Sequence, residues 1–499
     1  MKELPAAPED PARAPHKLRE SCLSYSEVLA QSVSVIAPST VPAAVLGLIF
    51  AKAGNATWLS FLLGIFGLLL VSLNINQFAR RSASPGSLYS YIVQGLGPTA
   101  GVLGGWALMW GYLLTGMSTL CGFSLIANVL LERMLGIQLP VISLFAVGAV
   151  LSFLIAYRDI QLSAVAMLIF EGAALLLVVV LGALIWSAKG VVIDPHQIKL
   201  EGTKPSDALA GVVLVVFAFS GFESSTSLGS EAKNPLKSIP RSVIQSVLIA
   251  GGFFIAMAYI VVLGFDGTGM SLAESEAPLS QLAHSIGWDS LGMLIDVGVL
   301  LSFFSCTLAS INSSARILFS MASHGLVSDA LGQSHIQNQT PHVAVGLATL
   351  LTFGVPSALY LSGTNAFDSQ GYFGTLCSFG FIVVYVLISI AAPAYLKSIG
   401  KLSARAIASA VGALLFMALP LIGTVGIPGS EIFPAADDGV ALIAIFAAFM
   451  GLGLAWLALQ RMRRPSMVAQ MQQAIASVER QFSVASDDVD IYLDSKVSS

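Results

Sequence analysis

Apolar runs of about 20 residues recur along nearly the whole chain, separated by short polar stretches, and a run of that length crosses a hydrocarbon core of about 30 Å as a helix. Stretches such as ALLLVVVLGALIW do not alternate in polarity, which argues against the roughly ten-residue strands of a membrane barrel. The pattern predicts about twelve helices, at 27–50, 57–79, 100–131, 139–156, 161–187, 207–229, 241–264, 290–321, 342–361, 370–396, 405–425 and 438–460.

Two of these runs carry their own interruption. In the first, QSVSVIAPSTVPAAVLGLIF sets Pro38 and Pro42 around Ser39 and Thr40 near the expected mid-membrane point. Proline lacks a backbone donor and clashes with the preceding turn, so the pair predicts a break. In the sixth, VVFAFSGFESSTSLGSEAKNP runs from an apolar helix into Ser220, Gly221, Glu223 and a string of hydroxyls. Interrupted backbone at membrane depth survives only where protein or water satisfies the freed amides and carbonyls, so both breaks are expected to line one cavity. About five helices separate them, the spacing of an inverted repeat of two five-helix halves whose discontinuous segments hold the substrate. Half-helix N-termini there suit a carboxylate and exposed carbonyls suit an ammonium group, so a zwitterionic amino acid fits. Gly, Ser and Pro also serve close helix packing, but matched interruptions in two halves favour the binding reading.

Composition agrees with a polytopic membrane protein. Of 499 residues, 56% are hydrophobic and only 10% are charged, against about a quarter charged in soluble domains. When loops are assigned alternately to the two sides, nineteen of the 24 Lys and Arg residues fall with both termini. The positive-inside rule then places the termini in the cytoplasm and the protein in the cytoplasmic membrane. No basic, aromatic-interleaved face points to nucleic acid. Cys22, Cys121, Cys306 and Cys377 are isolated, without metal-ligand spacing, and three of them read as small buried hydrophobes. His284, His324, His335 and His342 fall in or beside loops, so no metal is expected. GLGPTA at 95–100 formally satisfies a dinucleotide fingerprint but lacks the strand–turn–helix context, and no hydrolase or zinc motif occurs, so neither cofactor nor enzyme is expected.

Three segments resemble the amino acid/polyamine/organocation (APC) superfamily. SPGSLYSYIVQGLGPTAGVLGGWALMW (84–110) is similar to its re-entrant loop and third-helix start, FAFSGFESSTSLGSEAKNPLKSIPRSV (217–243) to its sixth helix and following loop, and INSSARILFSMASHGLVSD (311–329) to the end of its eighth. The resemblance covers roughly residues 25–460. It implies an all-α LeuT-type fold with helices 1 and 6 discontinuous, and ion-coupled or exchange transport of amino acids or related amines by alternating access. A nutrient sensor or channel on the same scaffold is the alternative. The implied organisation is an N-terminal tail (1–26), a ten-helix core (27–396), two additional helices (397–461) and a C-terminal tail (462–499). That tail reads as a solvated extension or a short amphipathic helix.

By the same resemblance Phe217 takes the place of an aromatic gate, and Phe219, Ser220 and Gly221 fall in the unwound segment with Phe222 beside them. Ile36, Ala37, Pro38, Ser39 and Thr40 align with the substrate-binding break of the first helix, where the family usually has Gly-Ser-Gly instead of Pro-Ser-Thr. Glu223 matches the acidic residue just past the second break. A carboxylate at membrane depth is a candidate proton carrier, or a fixed acceptor tying the broken helices together. Glu171 lies in the fifth helix slightly before a lysine of some proton-coupled members, and this helix contains no lysine. Ser302 and Ser305 share a face of the eighth helix, as a sodium-like site opposite the first break would need, although membrane serines often bond their own backbone. Tyr112 and Phe379 are candidates for shaping the pocket, and Arg316 for snorkelling or closing a cytoplasmic gate.

Overall fold

In the computed structural model, the described residues are 17–463 apart from 191–192, 276, 428–429, 431–432 and 434–438, together with 465, 468–469, 471–473 and 475. They form sixteen α-helices: α1 Tyr25–Ile36, α2 Leu46–Ala53, α3 Thr57–Ala79, α4 Ser87–Leu96, α5 Pro98–Leu135, α6 Val141–Arg158, α7 Ile160–Lys189, α8 Pro195–Ile198, α9 Pro205–Ala218, α10 Pro235–Phe265, α11 Pro278–Ser285, α12 Asp289–Ser323, α13 His342–Leu361, α14 Ala366–Ser398, α15 Ala404–Val425 and α16 Gly439–Arg463. Among the described residues, ten stretches are long and apolar enough to cross a membrane. The first of them, Tyr25–Ala79, contains α1 to α3, and the shorter apolar α9 stands outside the ten. Most of the acidic loop EIFPAADDG and most of the terminal tails lie outside the described residues.

The long helices α5, α12 and α14 form the inner wall. Glycines let them approach closely: a Cβ on Gly380 of α14 would sit 2.8 Å from the Ala107 carbonyl oxygen of α5, so a larger residue there would force the helices apart. Helices α13, α15 and α16 expose large apolar side chains such as Leu350, Leu415 and Val440, as lipid-facing helices do.

At one face the chain is tightly closed. Arg316, 1% exposed, donates from Nε and Nη2 to Glu231 at 2.6 and 2.8 Å, and from Nη1 to the Asn312 carbonyl at 3.0 Å. This bidentate pair turns Arg316 inward, so its side chain does not snorkel. The segment before α1 is sewn to the same region, with the Cys22 and Leu23 amides donating to the Glu231 carbonyl and Lys233 N–H donating to Leu23. Described residues near the C-terminus also pack here: Met471 and Ile475 are buried, and the Tyr89 hydroxyl reaches Met471 Sδ at 3.0 Å and His324 Nδ1 at 2.9 Å. Burial pushes the His324 imidazole down to about 4, which keeps it neutral beside Tyr89. The described residues nearest both termini thus gather at this terminal face.

Candidate functional site

The first interruption begins where α1 ends. Ala37 is forced into the left-handed region (φ 47°), its N–H still bonding the Val33 carbonyl, and Pro38 cannot continue the ladder. Thr40 folds back onto Ala37, donating from both its amide (3.0 Å) and its hydroxyl (2.8 Å) to the Ala37 carbonyl. The chain resumes as a wide π-helical turn, Val41–Val45, with Pro42 in its first positions, and then as α2.

The second follows α9. Phe219 and Ser220 leave the α-helical pattern through tight i to i−3 bonds, Gly221 turns left-handed (φ 87°), and the chain re-forms as a 3-10 helix over Ser224–Leu228. Only glycine fits that turn: a Cβ there would lie 2.2 Å from Val35 Cγ1 of α1. The two interruptions are therefore in contact. Below them Ser224 Oγ donates to the Gln31 carbonyl at 3.1 Å and Ser225 N–H donates to Ser32 Oγ at 3.0 Å, binding α1 to the 3-10 segment.

A carboxylate serves each break. Glu223 is fully buried and accepts from the Tyr112 hydroxyl of α5 at 2.7 Å and from the Tyr385 hydroxyl of α14 at 2.6 Å. Tyr385 in turn accepts the Gly221 N–H at 3.2 Å. Glu171 of α7, 2% exposed, accepts the Ser39 N–H at 3.3 Å and the Ser302 hydroxyl of α12 at 2.6 Å, so it joins the first break to α12. Ser305, one turn on, donates to Ser34 Oγ at 3.0 Å, and the Cys306 thiol reaches the Val35 carbonyl at 3.1 Å.

Beside the breaks lies a cavity of about 90 Å³. Of the residues expected from the sequence, Ile36, Ala37, Thr40, Phe217 and Ser220 line it. Phe217 crosses to α14, where a Cβ on Gly374 would fall 2.7 Å from its Cζ. Pro38, Ser39, Phe219, Gly221 and Phe222 do not line the cavity. Phe219 packs edge-on against Phe254 (5.0 Å between centroids) and Phe222 against Tyr385 (5.2 Å). Tyr112 is spent on Glu223, and Phe379 packs on Phe446 of α16, so neither lines the cavity. Much of the rest of the wall comes from Thr115, Ser118 and Thr119 of α5, Phe303 and Cys306 of α12, and Gln370 and Cys377 of α14, which sequence reasoning did not select. Their spacing along α5 at i, i+3 and i+4 was the available signal. The four cysteines are free thiols, and among the described residues no group of three His, Cys, Asp or Glu is placed to hold a metal.

The cavity lies on the far side of the breaks from the terminal face. Cys306 lines it, whereas Arg316 sits ten residues further along α12, roughly 15 Å away.

Comparison with known proteins agrees with this architecture. Over 81% of its length the chain superposes on 98% of MhsT, solved in complex with L-phenylalanine, with a TM-score of 0.56 at 15% sequence identity. It is 27% identical over 356 residues to the branched-chain amino acid permease BcaP of Bacillus subtilis, covering 68% of this chain and 73% of that one. It is 25% identical over 347 residues to the low-affinity putrescine importer PlaP of Escherichia coli, covering 66% and 72%. The amino acid permease family matches residues 32–470, nearly the whole described structure, and the chain belongs to that family, a branch of the APC superfamily, with an all-helical LeuT-type fold.

Proposed function

We propose that the chain is a secondary active transporter moving an amino acid or related amine across the cytoplasmic membrane by alternating access, with both termini in the cytoplasm. The observation that carries this reading is the pair of interrupted helices in contact beside a small cavity. Ile36 and Ala218 close α1 and α9 at that cavity, so the carbonyl-rich, negative ends of two helices face it and suit an ammonium group. Thr40 and Val41 open the following half and present the opposite polarity to a carboxylate. In this state the cytoplasmic route is closed by Arg316 and Glu231, while Phe217 and Gly374 flank the cavity on the other side.

The proposed coupling ion is a proton, carried by Glu171. This carboxylate bridges the first break to α12, the joint that must loosen when α1 rocks. Glu223, with each oxygen bound by a phenol from a different helix, takes the tether role. The test is uptake by proteoliposomes under an imposed gradient. Accumulation driven by an inward proton gradient is expected. Absence of accumulation of every amino acid and amine under proton and sodium gradients alike would defeat the reading.

A further inference from the structure

Relatives of this chain named for branched-chain amino acids and for putrescine place opposite demands on a binding cavity, and its lining discriminates between them. Among the described residues none that lines the cavity carries a charge. The two carboxylates nearest the breaks are turned elsewhere: Glu171 faces Ser39 and Ser302, Glu223 faces Tyr112 and Tyr385, and neither reaches the wall. A second ammonium or a guanidinium drawn from water into this lining would meet no counter-charge, and burying an unpaired charge costs far more than a few hydroxyls return. What the wall offers beyond the helix ends is aliphatic and aromatic surface, chiefly from Val41, Val45 and Phe303, with neutral polar groups from Thr115, Ser118, Thr119 and Gln370.

We infer that the cavity takes an L-amino acid with an uncharged side chain, such as alanine, serine, threonine or valine, and refuses cationic side chains and polyamines. The inference rests on the transporter reading above and specifies the substrate of that same site.

The experiment is a thermal-shift series on the full-length protein in detergent, paired with uptake in proteoliposomes, using alanine, serine, threonine, valine, lysine, arginine and putrescine. A ligand that binds only the native state raises the unfolding midpoint by mass action. Expected is stabilisation by the first four and none by the last three at equal concentration. Lysine or putrescine stabilising as much as valine overturns the charge argument, and no response to any of them overturns the assignment of the cavity to an uncharged amino acid. Valine binding without flux leaves the cavity assignment standing and removes the transporter reading, so the two failures are distinguishable. Ala44→Asp places a carboxylate on an exposed residue at the cavity's edge. It is expected to shift the ratio of lysine to valine affinity by about tenfold toward lysine. A variant that keeps valine binding and still refuses lysine overturns the claim that missing counter-charge sets the selectivity.

Discussion

The two interruptions solve the same problem with different chemistry. Each needs one residue in the left-handed region, and at the second that residue is Gly221, which adopts it without strain. At the first it is Ala37, for which the same region costs about 1–2 kcal/mol. The carboxylates differ as well. Glu223 belongs to its own broken helix and is fastened by two phenolic donors, whereas the first break borrows Glu171 from α7 through a single 3.3 Å amide bond. One break is therefore pinned to α5 and α14 by short charge-assisted bonds, and the other is held under strain by a longer one. The contrast teaches that the first break is the more easily rearranged, which suits the element proposed to rock.

The largest effect is expected from removing both donors at once. Tyr112→Phe combined with Tyr385→Phe strands a buried carboxylate and the Gly221 N–H, which should cost about 3–5 kcal/mol in detergent-solubilised stability. A loss below about 1 kcal/mol would show that the second break is not pinned this way. Next comes Gly221→Ala, which combines left-handed strain with a contact on Val35 and should cost about 2–4 kcal/mol. A variant as stable as wild type would mean that the break relaxes freely. Glu171→Gln keeps an acceptor for Ser39 or Ser302 and should lose only about 1–2 kcal/mol, while proteoliposome uptake loses its dependence on the proton gradient and ligand binding persists. Unchanged gradient dependence would remove Glu171 from coupling and make the first break a static feature. The smallest is Ala37→Gly, which relieves the strain but adds unfolded-state freedom, so stability should stay within about 1 kcal/mol. The informative readout there is transport rate, expected to change more than stability does.

The sequence alone determined where the backbone fails, because proline and glycine act on their own φ angle and N–H whatever surrounds them. Pro38, Pro42 and Gly221 were legible for that reason, as were the lipid-length runs and the uneven spread of Lys and Arg. What only the tertiary structure decided is which side of each long helix faces the cavity. In α12 and α14 lipid-facing and buried surfaces are nearly equally apolar, so periodicity does not mark the inward stripe, and Phe303 and Gln370 looked no different from their neighbours. Tyr112 seemed a pocket residue until Glu223, 111 positions away, claimed its hydroxyl, and Arg316 found Glu231 across 85. Such pairings depend on the rotation and depth at which separate helices meet, which is set by the sum of many packing contacts and by no local stretch of chain.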